Sequence, residues 1–322
     1  MRDISFYKQN FDDFLAQKSL KREPATLYDP IRYILSLGGK RLRPVLTLLS
    51  CDLFGGNYIN ARDAALAIEM FHNFSLIHDD IMDAAPIRRG KKTVHEKWNI
   101  NTGILSGDAM LVMATQLLES YEGELYKKLT SLFNKTALEV CEGQQYDFDF
   151  ESRTDVTVEE YIKMISLKTS VLIAAALKFG AMVASSPKKD ADLIYQYGVN
   201  LGVAFQLQDD YLDVYGGADF GKQKAGDIVA NKKTLLFLKT MELADQKDKV
   251  HLSQLYQSKM EPDFKIDEVL KLFEKYMVAS VVSREIKAYS EKAIACVGNL
   301  DLSEDKKQVL IGFADELIRR KV

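Results

Sequence analysis

The stretch ARDAALAIEMFHNFSLIHDDIMDAA, residues 61–85, decides how the rest of the chain is read. Apolar residues recur at three- and four-residue steps along it, and no turn signal interrupts them, so the spacing predicts one long α-helix. Near its C-terminal end the apolar run meets three carboxylates, Asp79, Asp80 and Asp83. Carboxylates are costly to bury unless a cation meets them, and acids at a helix C-terminus oppose the helix dipole. At 3.6 residues per turn, Asp79 and Asp83 lie about 40° apart and one turn apart in height. Two carboxylates so placed can share a hard cation.

The same helical periodicity covers 104–121, 129–150, 158–184, 188–214 and 264–297, and Ser303, Glu304 and Asp305 open a last helix ending near Arg320. No period-two alternation and no Asn-Gly or Asp-Gly hairpin pair is found. The expected fold is all-α, a single-domain bundle of ten or more helices spanning residues 1–322, without a linker or short repeat. With 322 residues, 47% hydrophobic and 28% charged, the chain can build a sizeable core, and a net charge of −3 gives no global reason to expect nucleic acid as a partner. Cys51, Cys141 and Cys296 are far apart and fit no metal or disulfide spacing. The opening MRDISFYKQNFDDFL lacks the apolar core of a signal sequence. The most apolar window, 171–184, contains Lys178 and is too short to cross a bilayer. These features predict a cytoplasmic protein with no transmembrane segment.

The acidic pattern returns at FQLQDDYLDVYGG, residues 205–217, as Asp209, Asp210 and Asp213, again near the end of a long apolar stretch. With 27 aspartates in the chain, about 0.2 Asp-Asp-x-x-Asp matches are expected by chance. One match is unremarkable; two in matching contexts are not. No His or Cys accompanies either cluster in a zinc-like spacing. Mg²⁺ suits them better, since it takes oxygen ligands, keeps several waters and completes its shell with substrate phosphates.

A metal-bound phosphate also calls for cationic side chains on its remaining oxygens. GGKRLRP, residues 38–44, carries Lys40, Arg41 and Arg43 before a helix that Pro44 can begin. PIRRGKKT, residues 86–93, brings Arg88, Arg89, Lys91 and Lys92 directly after the first acidic cluster. FGKQKAGD follows the second cluster with Lys222 and Lys224, and NKKT adds Lys232 and Lys233. His72 lies seven residues before Asp79 on nearly the same helix face; His78 and His95 have no evident role.

In these motifs the sequence resembles the trans-isoprenyl diphosphate synthase (polyprenyl synthetase) family. The resemblance rests on GGKRLRP, LIHDDIMD, RRGKKTVH, Gly107–Asp108, EGQQYD at 142–147, Lys168–Thr169, FQLQDDYLD and the GK…GD pattern from Gly221 to Asp227, in order and over almost the whole chain. It implies an isoprenoid-synthase-type helical bundle around a central active-site cavity, usually in a homodimer. It implies head-to-tail condensation of isopentenyl diphosphate with an allylic diphosphate (dimethylallyl, geranyl or farnesyl), assisted by three Mg²⁺ ions. Asp79 and Asp83 would hold Mg²⁺ from one side and Asp209, with Asp213, from the other. Asp80 and Asp210 would act in support, and Asp213 would also act through hydrogen bonds or water. Arg88, Lys168, Lys222 and Lys232 would bind the allylic diphosphate, and Lys40, Arg43, His72 and Arg89 isopentenyl diphosphate. Thr169 and Gln206 would face the reacting carbons and the allylic group.

The product tail would grow into the apolar region below Asp79. With a rise of about 1.5 Å per residue, Phe74 lies roughly 7–8 Å and Phe71 roughly 12 Å below Asp79. In the family the residues four and five positions before the first aspartate often set product length; here they are Ser75 and Phe74. One large and one small residue, with no insertion in the cluster, resembles the short-chain pattern, giving C20 or C15. Helix angle alone places Phe74 about 140° from Asp79 and Ser75 almost directly beneath it. Rival readings are a class I terpene cyclase, a longer-chain polyprenyl diphosphate synthase and a non-enzymatic regulatory partner of the same fold.

Overall fold

Residues 2–18, 20–216, 225–257 and 260–318 are described by the computed structural model. They form two compact units, each discontinuous in sequence: Met1–Ala137 with Leu172–Tyr195, and Leu138–Val171 with Gln196–Val322. The chain passes between them inside helices rather than through linkers.

The first unit holds α1 (Ile4–Gln17), α2 (Ala25–Ser36), α3 (Leu42–Leu53), α4 (Arg62–Met82), the strand pair β1 (Ile87–Arg88) and β2 (Lys91–Lys92), α5 (Val94–Lys97) and α6 (Ile100–Leu118). The first part of α7 (Gly123–Ser152) also belongs to it. Helix α4 packs along α6 and against α3, and it buries Ala64, Ala65, Leu66, Ala67, Ile68, Met70, Phe71 and Ile77. Apolar residues on so many sides suit a central helix rather than a half-exposed one. Asn99 starts α6 by accepting the backbone N–H of Thr102 at 2.8 Å.

The second unit is built from the end of α7, α8 (Val158–Ile165), a π-helical segment (Ser166–Ser170), the end of α10 (Lys188–Tyr215), α11 (Gly226–Val229) and α12 (Leu235–Leu243). It continues through α13 (Gln246–Gln257), α14 (Pro262–Lys275), α15 (Val278–Gly298) and α16 (Glu304–Ile318). Its core joins Leu207, Leu235, Leu236, Leu252, Val269, Phe273 and Val282. Helix α9 (Val171–Val183) follows the π segment without a break and belongs, from Leu172, to the first unit.

Three details differ from the periodicity. Residues 87–92 form a two-stranded antiparallel hairpin, with Ile87 opposite Lys92 and Arg88 opposite Lys91. Its turn residues, Arg89 (φ 51°) and Gly90 (φ 73°), both have positive φ, as a type I′ hairpin turn requires; arginine in the position usual for Asn or Asp concealed it. The span 264–297 is two helices, broken at Tyr276–Met277 where Met277 takes the left-handed φ of 51° that ends an α-helix. The apolar segment also extends further than 171–184: helix runs from Val158 to Val183, long and apolar enough to cross a membrane by length and composition alone. Length therefore does not exclude a span, but 72% of its most apolar 18-residue window is buried within the protein, as in core helices. The last helix is described to Ile318, and Arg320 lies outside the described residues.

Candidate active site

In the first unit, Asp79 and Asp80 occupy the last turn of α4 and Asp83 is its C-cap, its N–H donating to the Asp79 carbonyl at 2.9 Å. The three carboxylates have different surroundings. Asp80 is 1% exposed and receives both the Nε (2.9 and 2.8 Å) and the Nη2 (2.7 Å) of Arg88. Asp79 is 23% exposed, with Arg88 Nη2 at 4.0 Å, and Asp83 is exposed. Arg88 thus reaches back from β1 to neutralise the buried member, while Asp79 is half-buried, with its Oδ1 shielded from solvent, and Asp83 is exposed. Burial raises the Asp80 carboxyl, Arg88 opposes that rise, and the Arg88 guanidinium is held above its usual value by Asp80.

A second cluster in this unit gathers Arg43, His72 and Arg89. Arg43 Nη1 lies 3.2 Å from His72 Nε2. Arg89 Nη1 donates to the Gly38 carbonyl, and Gly39, at φ 123°, lies where a Cβ would come within 2.9 Å of the Arg89 guanidinium carbon. Burial pushes Arg43 down to about 10. A guanidinium only donates, so His72 Nε2 accepts from Arg43; burial, then the Arg43, Arg89 and Arg88 charges, holds His72 well below its ordinary value. Arg43 Nε is buried with no hydrogen-bond partner among the described residues. Such a pocket favours an anion with several oxygens. Lys40 is exposed on the approaching loop. Arg41 is not part of the pocket: it is consumed by Glu69 (2.6 Å), the Leu35 carbonyl (2.6 Å) and Asp12 (3.2 Å).

Below the acidic end of α4, Phe71 is 1% and Phe74 9% exposed. Their rings lie 5.5 Å apart, and Phe71 meets Phe133 of α7 at 5.5 Å. Ser75 donates to the His72 carbonyl at 2.8 Å.

In the second unit, α10 carries the other cluster. Asp209 is half-buried. Asp210 is buried; it accepts from Tyr161 and, at 3.0 Å, from Gln206 Nε2. Burial, with the charge of Asp227, pushes its carboxyl up to about 7. Asp213 accepts the Asp227 backbone N–H at 3.0 Å, so one of its oxygens is already engaged. Thr169 donates to Gln206 Oε1 at 3.2 Å, which links Thr169, Gln206, Asp210 and Tyr161 in one network. Thr169 and Lys168 lie in the π segment, a distortion that often accompanies functional positions. Lys168 pairs with Asp147 at 2.5 Å. Gly143 admits this arrangement: a Cβ there would lie 2.2 Å from the Lys168 backbone nitrogen. Lys232 is exposed on a turn closed by its own N–H to the Asp227 carbonyl at 2.9 Å, whereas Lys233 caps α7 through the Phe150 (2.6 Å) and Glu151 (3.1 Å) carbonyls. Lys222 and Lys224 lie outside the described residues. Tyr161 and the pairing of Asp147 with Lys168 were not foreseeable from spacing, because their partners are 49 and 21 residues away.

Among the described residues no three or more His, Cys, Asp or Glu side chains converge as a closed metal site. All-oxygen donors that are not fully enclosed, such as the exposed Asp83 and the half-buried Asp79 and Asp209, fit Mg²⁺, which usually takes one or two carboxylates and relies on substrate phosphates for the rest.

The polyprenyl synthetase family model matches residues 24–273. A short chain isoprenyl diphosphate synthase of Methanothermobacter thermautotrophicus is 38% identical over 84% of this chain and 83% of its own. A geranylfarnesyl diphosphate synthase of Natronomonas pharaonis is 38% identical over 67% of this chain and 69% of its own. A crystal structure of a geranylgeranyl pyrophosphate synthase superposes with a TM-score of 0.96 at 47% identity, covering 100% of both chains. With an all-α fold and motifs that agree with these matches, the chain belongs to the polyprenyl synthetase family and is a prenyl-transferring enzyme of the isoprenyl diphosphate synthase type.

Proposed function

We propose that the chain condenses isopentenyl diphosphate head-to-tail with an allylic diphosphate to give an all-trans C20 prenyl diphosphate. The observation that carries this reading is the Arg43–His72–Arg89 pocket, a cationic site in the same unit as an acidic cluster whose all-oxygen donors suit Mg²⁺. One polyanion is served by cations and the other by carboxylates, the layout that two diphosphate substrates need. C20 is favoured over C15 because relatives named above carry C20 and C25 names.

Asp79, Asp83 and Asp209, with the remaining oxygen of Asp213, would hold three Mg²⁺ ions, which when bound would supply charge neutralisation for a departing diphosphate. Asp80 keeps Arg88 extended, and Arg88, Lys168, Lys222 and Lys232 hold the allylic diphosphate. Arg43, His72, Arg89 and Lys40 hold isopentenyl diphosphate. As the allylic C–O bond breaks, its electron pair leaves with the diphosphate, where the Arg88 and lysine side chains stabilise the growing charge. The double bond of isopentenyl diphosphate attacks the allylic cation, forming the new C–C bond. A proton is then lost to the departed diphosphate. Thr169 Oγ1 and Gln206 Oε1, fixed by their mutual hydrogen bond and by Asp210, present lone pairs to the cation. Phe74 and Phe71, with Ser75, limit the tail.

A homodimer is supported by α6, which exposes Ile100, Ile104, Leu105 and Val112, more apolar surface than one helix ordinarily leaves to water. A reducing cytoplasmic setting suits the three free cysteines. Incubation with Mg²⁺, labelled isopentenyl diphosphate and each allylic starter tests the reading. The expected result is a C20 diphosphate on chromatography, abolished by a chelator and restored by Mg²⁺. Turnover of geranyl diphosphate alone, with isopentenyl diphosphate left unused, would overturn it.

A further inference from the structure

The side chain immediately before the first acidic cluster, His78, has no part in the mechanism above, yet three contacts specify its place. Its Nε2 lies 3.2 Å from the Ile104 carbonyl of α6. A carbonyl only accepts, so Nε2 carries the proton. The ring fits into space left by Gly107: a Cβ there would stand 2.3 Å from Nε2 and 2.6 Å from Cδ2. On its other side His78 meets the Phe74 ring at 4.8 Å and 67°, an edge-to-face contact. From Phe74 the rings continue through Phe71 to Phe133 of α7. Three rings of α4 therefore form one row, anchored to α6 at the acidic end and continued by Phe133 of α7 at the inner end.

We infer that His78 is a positioning residue for product length: it holds the Phe74 ring in place, with Gly107 providing its seat. This rests on the reading of Phe74 as a limit to the growing tail. Phe74 is buried, and His78, one turn on along the same helix face, is the side chain its ring meets on that side. Without the His78 ring, Phe74 can rotate into the vacated space, and the limit moves deeper. Gly107→Ala, which drives His78 out of its seat while leaving Phe74 and His78 chemically intact, acts in the same direction.

The test compares products of wild type, His78→Ala, Gly107→Ala and Phe74→Ala with farnesyl and isopentenyl diphosphates, alongside melting temperatures. The expected result is a shift of the main product by one isoprene unit, C20 to C25, in all three variants. Loss of stability or of turnover alone would not lengthen a product. If Phe74→Ala lengthens the product and His78→Ala and Gly107→Ala do not, the role of His78 is overturned while the limit at Phe74 stands. If none does, the limit itself is wrong. Should His78→Ala fail to fold, His78→Asn with Gly107→Ala gives the same decision.

Discussion

At the scale of single residues, the site separates carboxylates and cations that the sequence presents as equivalent. Asp80 and Arg41 are buried and saturated by Arg88 and by Glu69, whereas Asp79 is half-buried and Asp83 exposed. Replacing one member of a buried ion pair leaves the other uncompensated, which is the costly case. His72 offers a pH-dependent consequence. Its native pKa is depressed by burial and by Arg43, so below about pH 6.5, the ordinary histidine value, the unfolded chain binds a proton that the native chain does not. Stability is therefore intact above that pH and falls as the pH drops beneath it. The expected outcome for His72→Gln is a flatter melting temperature between about pH 5 and 7, measured by calorimetry. An unchanged slope would show that His72 titrates alike in the native and unfolded chains, with no depression on folding. The acidic triplets and the basic runs were legible at this scale. Which of their members are already spent was not, since that depends on desolvation and on groups 21 to 49 residues away.

At the scale of elements, the decisive local event is the π segment after α8, where one extra residue per turn sets Lys168 toward Asp147 and Thr169 toward Gln206. Apolar periodicity cannot reveal it, because the flanking helices keep their faces. It requires α7 to pass against the Lys168 backbone, and Gly143 alone permits that. Gly143→Ala is expected to cost about 1–3 kcal/mol through overpacking, read by denaturant unfolding. It should also raise the KM for the allylic substrate more than that for isopentenyl diphosphate. Equal changes in both would separate the packing defect from the position of Lys168. The hairpin 87–92 makes the same point: a two-residue turn with positive φ at Arg89 aims Arg88 at Asp80, and turn geometry, not propensity, produces it.

At the scale of the whole molecule, the prominent unsatisfied feature is the exposed apolar side of α6. Leu105→Glu is expected to convert a dimer to monomer in sedimentation velocity while leaving each chain folded by circular dichroism. A protein that is monomeric before the substitution would remove the dimer from the proposal. By itself the sequence determined the all-α class, both acidic clusters with their basic followers, and the family, because helical periodicity and motif spacing are local along the chain. Only the tertiary structure decided that Arg41 is structural, that Arg88 is tied to Asp80, that Lys168 is set by a π segment against Gly143, and that His78 seats on Gly107. Those outcomes depend on burial, close backbone approach and charge pairing between residues distant in sequence, which no local pattern encodes.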